Sequence, residues 1–301
     1  MTTTNYYKTS NTSRSGSTKQ SLCVGATSGI GKGIALKLAS QNMDVSIMGR
    51  NAQAGKEIIE EMKRIFPQGK FEMIPVDASS MKDIKRVCEE YKKNHNRLDY
   101  LVLSQGISSM AGRTETKEGI DVKLALHYYG RVMFVRELQD LLRSTLTISS
   151  DVRVLTVLSA GIHGTYTNLN DLDLKEDFSL KNAADAAGFY NDLAMDQLSR
   201  EEGNENISFI HQAPGFIATQ WGRELPTAVR WIIRAVQKFA RSTEQCAEYL
   251  FKGLTDELTK KGFHVLNQYG EPTSVTKDHN EMYRQYIWKH TLELLHKALG
   301  K

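Results

Sequence analysis

The sequence has 301 residues, of which 40% are hydrophobic, 25% charged and 8% aromatic, as in an ordinary globular protein. This composition excludes a mainly disordered chain, and the length suffices to bury a sizeable core without disulfide bonds. Three widely spaced cysteines indicate reduced core residues of an intracellular protein and no cysteine-based metal site. The net charge of +4 is spread along the chain, so we expect no nucleic-acid partner.

No run of about 18 apolar residues occurs, so we expect no transmembrane anchor and assign the chain to the cytoplasm. The first 20 residues are rich in Ser, Thr and Asn, contain no acid and show no periodicity, which predicts a disordered tail. A transit peptide shares this composition, although the apolar face of an amphipathic helix is missing.

From residue 21 onward, short apolar runs alternate with helical patterns, which is typical of repeated βαβ units on a parallel sheet. Strands are predicted over residues 22–24, 45–48, 71–76, 100–104, 152–158, 207–211 and 263–266. Helices are predicted over residues 31–41, 52–66, 81–94, 118–143, 183–202, 243–260 and 281–299. The pattern therefore predicts an α/β fold, a doubly wound Rossmann-type parallel sheet with helices on both faces, as a single domain over residues 21–301.

One helical insertion follows the sixth predicted strand, at about residues 217–240. It contains Trp221, Trp231 and Phe239, close to the crevice where ligands bind in such folds. We interpret it as a lid over a small-molecule substrate.

A glycine-rich loop joins the first predicted strand to the first helix, with glycines at positions 25, 29 and 31. Glycine permits the tight turn and the close approach of a pyrophosphate, while the helix N-terminus offers N–H donors to the anion. The next strand ends at Arg50, where an NAD-binding protein would place an acidic residue. Because a guanidinium can bind the 2′-phosphate, the loop and Arg50 together predict NADP(H).

The spacing of these glycines resembles that of the short-chain dehydrogenase/reductase family, and further motifs match. Asp77 and Ala78 follow the third strand, Ser159 follows the fifth, and Tyr190 lies on the next helix. The segment from Ser159 to Tyr190 and the C-terminal end most resemble the retinol-dehydrogenase-like branch. The likeness extends from about residue 21 to residue 299.

This resemblance implies an oxidoreductase with Ser159 polarising a carbonyl oxygen and Tyr190 exchanging its proton. It also implies a set of cofactor-binding residues: Gly25, Thr27, Ser28, Gly29, Ile30, Gly31, Arg50, Asp77, Ala78, Ser104, Gly106, Pro214, Gly215, Ile217 and Thr219. The family often forms oligomers, so a homo-oligomer is a possible partner state. No metal site is implied.

Three site motifs depart from the family's pattern. Ala194 stands where the family's Tyr-x-x-x-Lys motif has lysine, and His127 stands where a relay asparagine is usual. The family's Asn-Asn-Ala-Gly turn is replaced by Leu103-Ser104-Gln105-Gly106. Without the lysine cation, Tyr190 should be a poor base near neutral pH, so reduction is favoured over oxidation. His127 either supplies a proton path and positive charge or fills vacated space as a buried histidine. A His163 side chain near Ser159 either contacts substrate or faces solvent.

Three functions remain open at this point. The first is an NADP-dependent oxidoreductase that transfers hydride between nicotinamide and a carbonyl or alcohol of a lipophilic small molecule. The second is a non-redox isomerase, cyclase or lyase on the same fold, with Ser159 and Tyr190 stabilising an oxyanion. The third is a non-catalytic NADP-binding protein.

Overall fold

Seven apolar runs form seven strands of one parallel sheet in a computed structural model that describes residues 18–216 and 241–300. The strands are β1 Gln20–Val24, β2 Asp44–Gly49, β3 Phe71–Pro75, β4 Tyr100–Leu103, β5 Val152–Val157, β6 Ile207–Gln212 and β7 Gly262–Leu266. Their spatial order is β3-β2-β1-β4-β5-β6-β7, and every pairing is parallel. The predicted doubly wound fold is therefore confirmed.

Helices cover both faces of this sheet. They are α1 Gly29–Ser40, α2 Ala52–Ile65, α3 Met81–Asn94, α4 Val122–Leu124, α5 Gly130–Thr145, α6 Leu180–Ser199, α7 Thr243–Thr255 and α8 Glu281–Ala298. Helices α1, α2 and α7 bury their apolar sides on one face, and α3, α5, α6 and α8 on the other. Because strand side chains alternate, Leu22 and Val24 of β1 enter the second layer while Cys23 enters the first.

The strand order reverses between β1 and β4, which are hydrogen-bonded neighbours in the sheet. From β1 the strands run outward to β2 and β3, whereas the later strands run outward on the other side. In such sheets a crevice opens outside the carboxyl ends of the strands at this switch point. The fold therefore places the loops after β1, β2 and β4 around one opening.

The helix predicted from residue 118 begins later, because Glu118 has another role. Its carboxylate accepts hydrogen bonds from the backbone N–H groups of Met81 and Lys82 at the start of α3. Asp121 then caps α4 by accepting from the N–H groups of Lys123 and Leu124. A π-helical turn, Ala125–Tyr129, separates α4 from α5.

The predicted tail over residues 1–20 extends one residue too far, because Gln20 is the first residue of β1. The rest of that tail lies almost wholly outside the described residues, and so does the predicted lid at 217–240 with its tryptophans. Within residues 18–216 and 241–300, no helix is long and apolar enough to span a bilayer.

Candidate active site

The glycine loop after β1 adopts the conformation that its sequence predicts. Gly25 has a positive φ of 80°, which favours glycine, and its N–H donates to the Met48 carbonyl at 2.9 Å. A Cβ on Gly31 would stand only 2.4 Å from the Gly25 carbonyl oxygen. The first turn of α1 contains no acidic residue, so its positive dipole end is not neutralised there. The loop is therefore a backbone cradle for an anion.

This cradle forms one end of a cleft of about 950 Å³ at the switch point of the sheet. The cleft brings together ten of the predicted cofactor-binding residues: Gly25, Thr27, Ser28, Gly29, Ile30, Gly31, Arg50, Ala78, Ser104 and Gly106. The lining also includes residues that the motifs did not single out, among them Gly49, Asn51, Val76, Gln105, Ile107 and Leu126. Residues from four separate loops therefore surround one space.

Arg50 lies on the cleft wall, directly after β2. Its side chain is exposed, and no carboxylate of residues 18–216 or 241–300 pairs with it. The neighbouring Asn51 caps α2 by accepting from the Ala54 N–H at 3.0 Å, which fixes the backbone beside the arginine. Arg50 is thus a cation whose hydrogen-bond donors are available to an anionic ligand.

Asp77 stands at the rim of the cleft, between two lining residues, Val76 and Ala78. One of its carboxylate oxygens accepts from both the N–H and the hydroxyl of Ser79. The side chain is exposed, so the carboxylate stabilises its own turn and borders the adenine end expected for a dinucleotide.

His127 supports the loop that follows β4. Its Nε2 accepts a hydrogen bond from the Ile107 N–H at 3.0 Å, and a Cβ on Gly106 would stand 2.8 Å from the same atom. Burial, together with the nearby Arg131 cation, lowers the pKa of His127 to about 3. The ring is therefore neutral, and the hypothesis that His127 supplies positive charge is wrong. The alternative, a buried histidine that fills space, describes it better.

Arg131, a residue that the motif analysis missed, joins the ends of two central strands. Its guanidinium donates to the Gln105 carbonyl at 2.7 Å after β4 and to the Val157 carbonyl at 2.9 Å at the end of β5. The side chain is 1% exposed, and burial lowers its pKa to about 9. An arginine within the apolar stretch of α5 was the sequence signal for this link. Arg131 thereby links Gln105, which lines the cleft, to the end of β5, two residues before Ser159.

Ser159 follows β5 and faces helix α6 at Gly188. A Cβ on Gly188 would stand 2.6 Å from the Ser159 Oγ and 2.5 Å from the His163 Cγ. Glycine at this helix position therefore makes room for both side chains. Ser159 is not part of the cleft lining, and it follows β5, the strand next to β4.

Tyr190 does not lie on this face of α6, which corrects its assignment as the partner of Ser159. The side chain is fully buried, its hydroxyl donates to the Leu172 carbonyl at 3.2 Å, and its ring contacts Tyr128. Burial raises the pKa of Tyr190 well above its ordinary value. Because each helical residue turns by about 100°, Tyr190 points roughly 200° away from Gly188.

The positions of α6 that share the face of Gly188 within one turn lie three and four residues before and after it. They are Ala184, Asp185, Asn191 and Asp192, so neither tyrosine nor lysine occurs within one turn of Gly188 on the face next to Ser159. Ala194 lies on the side of Tyr190 and is buried, 2% exposed. The departure from the Tyr-x-x-x-Lys pattern is therefore larger than the sequence alone predicted.

A buried cluster of His163, Asp192 and His211 takes up this space instead. The Asp192 carboxylate contacts the His163 Nε2 at 2.9 Å and the His211 Nδ1 at 2.6 Å. Burial alone would raise the pKa of Asp192, but the hydrogen bonds from the two histidines lower it to about 2. Sequence reasoning weighed His163 alone and missed its partners.

This cluster is also the group, within the described residues, whose donor atoms could hold a metal ion, because all lie within 4.8 Å of one another. Two ligands of a tetrahedral zinc, each about 2.0–2.1 Å from the ion, stand roughly 3.3 Å apart. The two contacts of Asp192 are shorter than this separation and have the lengths of hydrogen bonds.

Pro214 and Gly215 follow β6 at the same edge of the sheet. Gly215 has a positive φ of 79°, and a Cβ there would stand 2.5 Å from the Gln268 Oε1. The Pro214 carbonyl accepts from the Cys246 thiol at 3.5 Å. Ile217 and Thr219, the remaining predicted cofactor residues, lie outside the described residues.

Comparison with known proteins gives a consistent family match. The family model for short chain dehydrogenases matches residues 19–168. An oxidoreductase of Emericella nidulans is 36% identical over 200 residues, covering 66% of this chain and 58% of that protein. The chain therefore spans less than two thirds of the length of this relative.

A more distant relative matches over a longer part of the chain. The polyprenol dehydrogenase of Mus musculus is 23% identical over 281 residues, covering 91% of this chain and 82% of that protein. Among solved structures, YwfH, an NADPH-dependent reductase involved in bacilysin biosynthesis, superposes with a TM-score of 0.63 at 19% identity. That superposition covers 86% of this chain and 100% of YwfH, and it supports the fold.

Proposed function

Because the chain belongs to the short-chain dehydrogenase/reductase family, we propose that it is an NADP(H)-dependent oxidoreductase acting on a carbonyl or alcohol group. The observation that carries the proposal is the cleft that is lined by both the glycine cradle and Arg50, which pairs with no carboxylate of residues 18–216 and 241–300. A pyrophosphate fits the N–H donors of the cradle, and a 2′-phosphate fits a guanidinium. NADPH, when bound, supplies a hydride equivalent.

Different residues along the cleft would bind different parts of the cofactor. The backbone at Gly25, Gly29 and Gly31 would hold the pyrophosphate, and Arg50 the 2′-phosphate. The loop over residues 104–107, fixed by His127 and Arg131, would support the nicotinamide end. With this assignment the reacting end of the cofactor would lie toward the ends of β4 and β5, the strand that Ser159 follows.

Ser159 is the proposed polar contact of the substrate oxygen. Ser159 is half-buried, and its hydroxyl makes no hydrogen bond with any part of the chain that the structure describes, so it can donate to a carbonyl oxygen. As the carbonyl carbon gains hydride, negative charge builds on this oxygen, and a donor already in place stabilises it. Tyr190 is left out of this role because its hydroxyl is engaged inside the core.

A lipophilic substrate is favoured by the apolar side chains at the same edge of the sheet. Met110 follows β4, Ile162 follows β5 and Phe216 follows β6, and they are 62%, 74% and 46% exposed. The segments that follow three neighbouring strands thus each contain a large exposed apolar residue, a pattern that favours an apolar contact. The name of the mouse relative, a polyprenol dehydrogenase, agrees with this substrate class.

The proposal is tested with NADPH that has deuterium at the transferable position and a panel of apolar ketones and aldehydes. We expect NADPH absorbance to fall and one deuterium to appear at the former carbonyl carbon. Ser159→Ala should slow the reaction about 100-fold with little change in NADPH binding. Bound NADPH that no carbonyl compound consumes would contradict the proposal.

A second candidate function is a non-redox isomerisation, cyclisation or elimination at Ser159. It is favoured by the α6 face that bears Ala184, Gly188 and Asp192 in place of a tyrosine and a lysine. The same assay separates the two functions, because an isomerase changes the substrate without loss of NADPH absorbance or transfer of deuterium.

A further inference from the structure

We propose that His163 is held as an imidazolium beside Ser159 and that its positive charge makes the Ser159 hydroxyl a stronger proton donor. The inference rests on the proposed function, since it assigns a role within the same site. Here His163 is a positioning residue that acts through Ser159.

The first observation is the position of the ring. The His163 Cβ and Cγ and the Ser159 Oγ all lie within 2.6 Å of the point that a Cβ on Gly188 would occupy. His163 and Ser159 are therefore both packed against Gly188 of helix α6, and the His163 side chain is 1% exposed. A charge on this ring acts on Ser159 through a medium that contains little water, where electrostatic interactions are strong.

The second observation is that each ring nitrogen of His163 contacts a hydrogen-bond acceptor. The His163 Nδ1 lies 2.7 Å from the Gly164 carbonyl oxygen, and its Nε2 lies 2.9 Å from the Asp192 carboxylate. A neutral imidazole has one N–H, whereas both of these contacts need a donor on the ring. The geometry therefore requires the doubly protonated, positively charged ring, with Asp192 as its counter-ion.

The surrounding charges favour the same state. Burial by itself would lower the pKa of His163, but the hydrogen bond and charge of Asp192, together with the Gly164 carbonyl and Asp185, raise it. His211, on β6, donates its Nδ1 proton to Asp192 and has its pKa lowered by burial, so it is neutral. Arg131 lowers the pKa of His211 further.

This arrangement indicates which group donates a proton when the carbonyl is reduced. The carbonyl carbon gains hydride, the electrons of the C=O π bond move to the oxygen, and the Ser159 hydroxyl proton moves to that oxygen. The Ser159 oxygen then recovers a proton from solvent. The imidazolium keeps both protons throughout, and its charge stabilises the serine oxygen while that oxygen is negative.

The protonation state is tested first, without turnover, by NMR of protein labelled with ¹⁵N in histidine. His163→Gln identifies the His163 signals, and His296→Gln, which changes an exposed histidine on α8, is the matched control. We expect both His163 nitrogens to be protonated at pH 7 and to titrate above pH 6.5, and Asp192→Asn to lower this pKa. A His163 with one protonated nitrogen at pH 7 would overturn the proposal, as would nitrogen signals that change on removal of a metal by EDTA.

The second test is the pH dependence of kcat in the reductive direction. The wild-type rate should fall as pH rises through the His163 pKa, because the positive charge is then lost. His163→Gln should lower kcat at least about tenfold and remove this pH limb, while the Kd for NADPH changes less than twofold. Asp192→Asn should move the limb to lower pH.

These outcomes separate the failure of this proposal from that of the proposed function. A protein that reduces carbonyls with NADPH but keeps kcat and its pH profile in His163→Gln refutes the role of His163 alone. A protein that never consumes NADPH refutes the proposed function, while the NMR result still decides whether His163 is charged. If His163→Gln does not fold, Asp192→Asn and the wild-type spectrum still give the answer.

Discussion

Replacement of Arg50 by alanine is expected to weaken NADPH binding and to leave NADH binding unchanged. Arg50 lines the cleft after β2 and pairs with no carboxylate among the residues that the structure describes. No ion pair within this part of the chain therefore has to break before the Arg50 N–H groups bind a phosphate. A hydrogen bond to a charged group contributes about 1.5–3 kcal/mol, and the exposure of Arg50 puts its contribution at the lower end. Since about 1.4 kcal/mol corresponds to tenfold in Kd, we expect about tenfold weaker NADPH binding.

The assay is a titration of NADPH fluorescence, with NADH in parallel. Because NADH has no 2′-phosphate, its Kd should change less than about twofold in Arg50→Ala. The matched control is Arg64→Ala, an arginine of α2 that bonds the Glu60 carbonyl and lies outside the cleft lining. Equal weakening of both nucleotides, or no weakening of either, would refute the assignment of Arg50 to the 2′-phosphate.

Three further predictions follow from individual contacts. Gly31→Ala places a methyl group 2.4 Å from the Gly25 carbonyl oxygen, so thermal unfolding and NADPH titration should show about 1–3 kcal/mol of lost stability and weaker binding. Tyr190→Phe should leave turnover within twofold of wild type and cost about 1 kcal/mol of stability, because its hydroxyl bonds only a main-chain carbonyl in the core; a large loss of kcat would restore Tyr190 to the reaction. Asp192, whose folded-state pKa of about 2 lies below its usual value, should contribute about 2 kcal/mol above pH 4 that urea unfolding shows to be lost toward pH 2. Asp192→Asn should abolish that loss.

The sequence predicted many of the residues that line the cleft because the determinants of these positions are local. Gly25, Gly31 and Arg50 lie within turns of a few residues between a strand and a helix, and such turns fix which groups line the cleft. The seven strands were predicted for a similar reason, since buried parallel strands read as short continuous apolar runs. The predicted strand ends differ from those in the structure by at most two residues.

The substrate end could not be predicted in the same way. More than 20 residues of loop separate β5 from α6, so the helical face that meets Ser159 is not fixed by sequence spacing. Tyr190 follows Ser159 at a plausible distance along the chain, yet it points into the core with Leu172. Asp192 and His211 lie on a helix and a strand that meet only in the folded protein, so their contact with His163 left no local pattern.

The central claim, that NADP(H) binds in the glycine-loop cleft, is tested most directly by hydrogen exchange with and without saturating NADPH. We predict slower exchange in peptides that contain residues 25–31, 49–52 and 104–108, the segments around the cleft. A second cavity of about 670 Å³, lined by Leu146, Ser150 and Lys260 among others, serves as an internal control and should show no change. Protection confined to that second cavity, or no protection anywhere at saturating NADPH, would contradict the account.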